Sequence, residues 1–288
     1  AAYALTGGIS AAAVRPQDGE GPPSVIEGAD GKEMVLAPGG YFTFGSADGM
    51  SDEAPVRKIF LDVFYLDKYE VTNREFQRFV EATGYRTTAE EKGWGWVWVR
   101  EAWEKVDETY WRQPLGPGSD ALQTADHPVV QMSWGDATAY CAWAKKRLPS
   151  EAEWEKGARG SSGRIYPWGD EPPEKEGVFR ANYNQGKEAR DGFPLTAPVG
   201  NFPQGRSPYG AMDMGGNVWE WVSDWYEAES YEKAWYKNPQ GPRWGMVKVL
   251  RGGSWFESET SLRASRREYA FQVDYLQSFG FRCAKSVQ

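Results

Sequence analysis

The stretch HPVVQMSWGDATAYCAWAKKRLPSEAEWEKGARG (residues 127–160) carries two helix starts in one window. Ser133 precedes Ala137, Tyr140, Cys141 and Ala144, which fall on one face at helical spacing. Pro149-Ser150-Glu151 opens a second, shorter helix through Trp154 that ends near Gly160. Upstream, Thr72-Asn73-Arg74-Glu75 is a capping box leading into Phe76, Phe79 and Val80, with Gly84 as its stop.

Around these helices the chain reads as short strands and turns. Strand candidates are 34–46, 58–72, 246–256 and 280–286. With 33 Gly and 18 Pro in 288 residues the protein is turn-rich. Residues 161–245 show almost no helical or strand periodicity, which is too long for an unsupported loop in a compact domain. Bound metal or aromatic packing would have to hold them. The stretch GGNVWEWVSDWY (215–226) points to the second, with Trp219, Trp221 and Trp225 expected to pack the loops. Aromatics reach 15% of the chain, with 15 Trp, 15 Tyr and 13 Phe. Much of the core must therefore be rings, whose polar edges want partners.

With 33 basic against 41 acidic residues and a net charge of −8, no nucleic-acid partner is expected. No run of 18 apolar residues occurs. Residues 1–33 divide from the rest by composition. AAYALTGGISAAAVRP is small-residue-rich and contains an A-x-A-like Ala11-Ala12-Ala13. It reads either as the remnant of a signal peptide or membrane anchor or as a flexible extension. Residues 14–33 are linker-like, and 34–288 read as one domain.

Chemistry is bounded by counting. His127 is the only histidine, which excludes a three-His iron site. It is either a lone base or an imidazole tied into a turn. Cys141 and Cys283 lie 142 positions apart, on a helix face and a strand. Both read as structural: buried thiols in a reducing compartment, or one bridge in an exported protein. Oxygen ligands for calcium are available in 181–193, with Asn182 and Asp191, and in 213–220, where Asp213 and Glu220 flank two glycines. The same residues are common in ordinary turns. Arg263, Arg266 and Arg267 with Glu257, Glu259 and Glu268 either line a polar cleft or form a paired surface loop.

Five strings in register then resemble the sulfatase-modifying-factor family, which includes the formylglycine-generating enzymes: residues 127–160, YPWGDE (166–171), GGNVWEWVSDWY, VLRGGSWF (249–256) and GFRCA (280–284). The resemblance implies an α+β, C-type-lectin-related single domain of low regular secondary structure, with small twisted antiparallel sheets and a few short helices. It implies one or two structural calcium sites. The first takes the side chains of Asn182 and Asp191 and the carbonyls of Tyr183 and Phe193. The second takes Asp213 and Glu220 with the carbonyls of Gly216 and Val218. It also implies a Cys141–Cys283 disulfide, and with it an exported, periplasmic or cell-envelope location.

The family's copper site does not carry over. Its two cysteines follow the RGGS motif, and here Glu257 and Leu262 stand in those places. Copper(I) is soft, and neither residue offers a thiolate. Neither copper nor iron is therefore expected. A periplasmic branch tied to pyoverdine maturation also lacks the cysteine pair. Two functions follow as expectations. One is a calcium-stabilised binding or accessory module for a peptide, glycan or protein, such as a membrane-bound envelope complex. The other is an enzyme of altered chemistry, with Glu257 or Glu259 as base and Arg263, Arg266 or Arg267 holding an anion.

Overall fold

The computed structural model describes residues 23–186 and 189–287. The apolar leader lies outside the described residues. Two four-stranded sheets organise the domain. The first runs β1 (Val25–Glu27), β2 (Glu33–Ala37), β5 (Phe64–Asp67), β14 (Ala284–Ser286), antiparallel throughout. The second runs β12 (Arg267–Phe271), β11 (Val247–Arg251), β10 (Trp219–Trp225), β13 (Phe279–Gly280). Its β10–β13 pair is parallel and the others are antiparallel. Three hairpins stand beside them: β3 (Gly40–Phe44) with β4 (Arg57–Leu61), β6 (Trp94–Val99) with β7 (Ala102–Asp107), and β8 (Glu174–Lys175) with β9 (Val178–Phe179).

The helix starts fall where the caps place them. Thr72, Ser133 and Ser150 each accept from the third helical N–H and open α1 (Asn73–Thr83), α3 (Trp134–Trp143) and α4 (Glu151–Arg159). Gly84 closes α1 in the left-handed region that a side chain resists. Two shorter helices, α2 (Thr88–Lys92) and α5 (Ser230–Lys233), went unread. No helix among the described residues is long and apolar enough to cross a membrane.

Three readings are corrected. Residues 25–33 are not linker: Val25–Glu27 pairs with Glu33–Val35, and Lys32 is buried against Glu75 and the Glu70 carbonyl. The aromatics of 219–225 do more than pack loops, because they form the strand β10 inside the second sheet. Side chains alternate across that strand. Trp219 and Trp221 enter one core with Phe76, Tyr140 and Phe281, while Val222 enters the other with Phe44, Trp154 and Tyr231. The period was hidden because both faces are buried: the polar residues of the strand, Glu220 and Asp224, are themselves interior and mark no solvent face. The hairpin β6–β7 was missed for a different reason. Its two-residue turn, Arg100–Glu101, takes positive φ of 50° and 68° without the Asn or Gly that usually announces it.

Cys141 and Cys283 form the expected disulfide, with Cα atoms 5.7 Å apart. It ties α3 to the segment entering β14, in the aromatic core.

Candidate functional site

The turn after β11 places the RGGS residues at the centre of the molecule. Gly252 and Gly253 have φ of 101° and 77°. A Cβ on Gly253 would lie 2.8 Å from the Ser261 carbonyl, so the segment must be glycine to close on the 259–262 turn. Ser254 and Leu262 are completely buried. Leu262, one of the two positions aligned with the missing cysteines, is core. Glu257, the other, is half-buried. Burial foremost pushes its carboxyl up. Glu259 is exposed.

The three arginines are occupied. Arg267 is fully buried, with Nε and Nη2 on the two oxygens of Glu151 at 2.7 and 3.0 Å. Arg263 clasps both oxygens of Glu53 at 2.6 Å. Arg266 bonds Glu268 at 3.1 Å and the Arg267 carbonyl. An anion pocket built on them would have to break these pairs, so the arrangement is a paired loop with a buried anchor rather than a polar cleft.

The proposed calcium ligands separate into two unlike sets. Asn182 is buried and spends Nδ2 on the Leu195 carbonyl (2.8 Å) and Asn217 Oδ1 (3.1 Å). Its Oδ1 is buried and has no hydrogen-bond partner among the described residues. Asp191 accepts from Phe193 N at 3.0 Å through Oδ1, while Oδ2 is buried and, among the described residues, without a hydrogen-bond partner. Two orphaned oxygens in one loop carry a desolvation penalty that a cation would offset, so this set fits the metal.

The second set fits it less well. Both oxygens of Glu220 are gripped by Arg282 at 2.7 Å, and Trp154 Nε1 donates to Oε2 at 2.8 Å. Asp213 Oδ2 accepts from Gly200 N at 2.6 Å. Unread in the sequence, Glu70 joins them. Its carboxylate accepts from Asn217 Nδ2 (2.6 Å) and Val218 N (3.2 Å). Burial and the neighbouring acids push Glu70 up, and burial foremost pushes Asp213 up to about 6. Glu70 was invisible because it sits in a strand-like run beside the Thr72 cap, remote in sequence from its partners. No group of three or more Asp, Glu, His or Cys with metal-holding geometry occurs among the described residues.

His127 is tied into a turn: Nδ1 lies 3.0 Å from Thr196 Oγ1, the His127 backbone N–H donates to the Thr124 carbonyl, and burial lowers the imidazole's basicity.

Beside the RGGS turn lies an open cleft of about 330 Å³, walled by Trp98, Tyr183, Phe193, Trp255 and Phe256. Trp98 packs on Phe256 with centroids 4.5 Å apart, and Trp103 backs both at 5.5 and 5.3 Å. The hairpin β6–β7 thus supplies a wall that the motifs alone did not reveal. The amides at its edge are satisfied already. Asn184 bonds the Phe256 carbonyl and Gly186 N, and Gln185 accepts from Asp191 N. What the cleft offers a ligand is chiefly ring surface, with the exposed Glu101 carboxylate at its rim.

Comparison with known proteins agrees with this architecture. The family model of the sulfatase-modifying factor enzyme 1-like domain matches residues 23–287. The chain is 41% identical to the formylglycine-generating enzyme of Thermomonospora curvata, over 88% of this chain and 93% of that one. It is 37% identical to the inactive C-alpha-formylglycine-generating enzyme 2 of Bos taurus, over 88% of each. Among solved structures it resembles PvdO from Pseudomonas aeruginosa, with a TM-score of 0.72, 28% identity, and coverage of 93% and 100%.

Proposed function

This chain belongs to the sulfatase-modifying factor enzyme 1-like domain family, and on that premise we propose that it is a binding or accessory module rather than a formylglycine generator. One observation carries the reading: both cysteines of the chain are joined in the Cys141–Cys283 disulfide, so no thiol is available to a copper site. Leu262, buried in the core, and Glu257 occupy the motif positions instead.

The ligand class follows from the cleft. Ring faces with their neighbouring amides already bonded suit aromatic or aliphatic side chains of a peptide or protein partner. A sugar would need free donors and acceptors for its hydroxyls. Trp98 and Phe256 are the anchors. Asn182 and Asp191, with the carbonyls of Tyr183 and Phe193, would hold a structural calcium ion that fixes the loop at the cleft's edge. The disulfide supports an oxidising, exported location in the cell envelope.

Selection of a displayed random peptide library on the immobilised chain tests the reading. Enriched peptides should carry apolar anchors, and Trp98→Ala should weaken them about tenfold or more, or roughly 1.4 kcal/mol. Peptide affinities unchanged in both Trp98→Ala and Phe256→Ala would show that the cleft is not the site. A glycan binding there would replace the ligand class.

A further inference from the structure

At the end of β10 a second cavity, sharing no lining residue with the aromatic cleft, presents a carboxylate at its floor. Asp224 is 4% exposed. Its Oδ2 accepts from Glu151 N at 2.9 Å and Ser223 Oγ at 2.8 Å. Its Oδ1 takes no hydrogen bond among the described residues, although it belongs to a side chain lining a cavity of about 130 Å³. Its apolar walls are Phe44, Trp235, Pro239 and Pro242, with Ser230, Gln240 and the paired Glu227 and Lys233 at the rim. Gly241, at φ +64°, lies beside this carboxylate, and a Cβ there would stand 3.1 Å from Oδ1.

The other acids at this cavity are matched. Glu151 is held by Arg267 and Arg251, and Glu227 by Lys233. Lys248 is engaged with the Ser223 carbonyl and stacked between Trp134 and Trp225. Asp224 makes no ion pair among the described residues. A charged floor under apolar walls is the complement of a side chain with an alkyl stem and a cationic head. A cavity of about 130 Å³ admits such a head.

We propose that this cavity is a binding site for an organic cation, the ammonium or guanidinium end of an alkyl chain, with Asp224 Oδ1 as its counter-ion and Trp235 as its wall. The ligand is a lysyl or arginyl side chain or a free alkylamine. These share one chemistry.

Burial, and then the Glu151 charge, push Asp224 up to about 7. Glu151, Glu153, Glu227, Lys233, Lys248 and Arg147 are the charged groups around it. A cation favours the ionised carboxyl, so binding tightens by about tenfold from pH 6 to pH 8 as that carboxyl deprotonates. Lys248, lowered by burial to about 8, loses charge at the top of that range and acts in the same direction.

The experiment is calorimetric titration of the full chain with Nα-acetyl-lysine amide, n-butylammonium and uncharged n-butanol. Binding of either amine but not butanol is expected, and the tighter amine identifies the source. Asp224→Asn, whose amide oxygen can keep the Glu151 and Ser223 bonds, should weaken binding at least tenfold. Trp235→Ala, at a position 77% exposed, leaves the fold intact and should weaken it severalfold. Butanol binding as well as butylammonium, unchanged affinity in both variants, or no binding at all would overturn the proposal.

Discussion

Arg282 grips Glu220 with two nitrogens, Nε on Oε2 and Nη2 on Oε1, each at 2.7 Å, and both side chains are fully buried. Trp154 adds an indole N–H to the same carboxylate. Removing one member of a buried pair strands the other, at a cost of about 3–5 kcal/mol. Glu220→Ala should therefore lose that much stability in urea denaturation, by the same amount with calcium or with chelator. A loss confined to the calcium-loaded protein would instead make Glu220 a metal ligand.

The orphaned oxygens of Asn182 and Asp191 lead to the opposite expectation. Chelator should lower the melting temperature, and Asp191→Ala should abolish that response. Calcium at a hundredfold excess over its Kd would contribute about 2.7 kcal/mol. Scanning calorimetry with and without chelator reads it directly, and identical traces for the wild type would remove the metal from this loop.

The Cys141–Cys283 bridge closes a loop of 142 residues. On the chain-entropy model, replacing both cysteines with serine should cost roughly 5 kcal/mol. Denaturant midpoints of the double variant measure it. Because the bridge sits in the aromatic core, the variant should also unfold at lower urea than the oxidised chain even at low temperature.

Stability should fall as pH rises through the neutral range. Burial pushes Asp224 up to about 7 and Asp213 up to about 6, whereas both would titrate near 4 in the unfolded chain. Between about pH 4 and 7 the folded state thus binds more protons than the unfolded state, and the slope of stability against pH is negative. Asp224→Asn should flatten that slope at its upper end. Urea midpoints from pH 5 to 7, below the range where Lys248 and Lys156, both lowered by burial to about 8, add the opposite slope, check both statements, and a rising curve would contradict them.

Legibility followed the range of the interaction. Capping boxes at Thr72, Ser133 and Ser150 are local, three residues across, and their helices were readable to within a residue. The disulfide pairing and the mixed fold came from motifs whose register the chain keeps. Glu70 against Asn217 and Val218 spans about 147 positions, and nothing near Glu70 announces that contact. Arg267 looked like surface charge because its partner Glu151 lies 116 residues away on α4. The cleft itself needed the β6–β7 hairpin, whose turn lacks the residues by which such turns are recognised.

The most direct test of the central claim is turnover of a cysteine-containing peptide. Purified, oxidised protein is incubated with the peptide, copper and oxygen, and the peptide is recovered for mass spectrometry. With both cysteines in one disulfide and Leu262 buried at the second motif position, the peptide should return unchanged in mass. Conversion of its cysteine to formylglycine over many equivalents of protein would contradict the account.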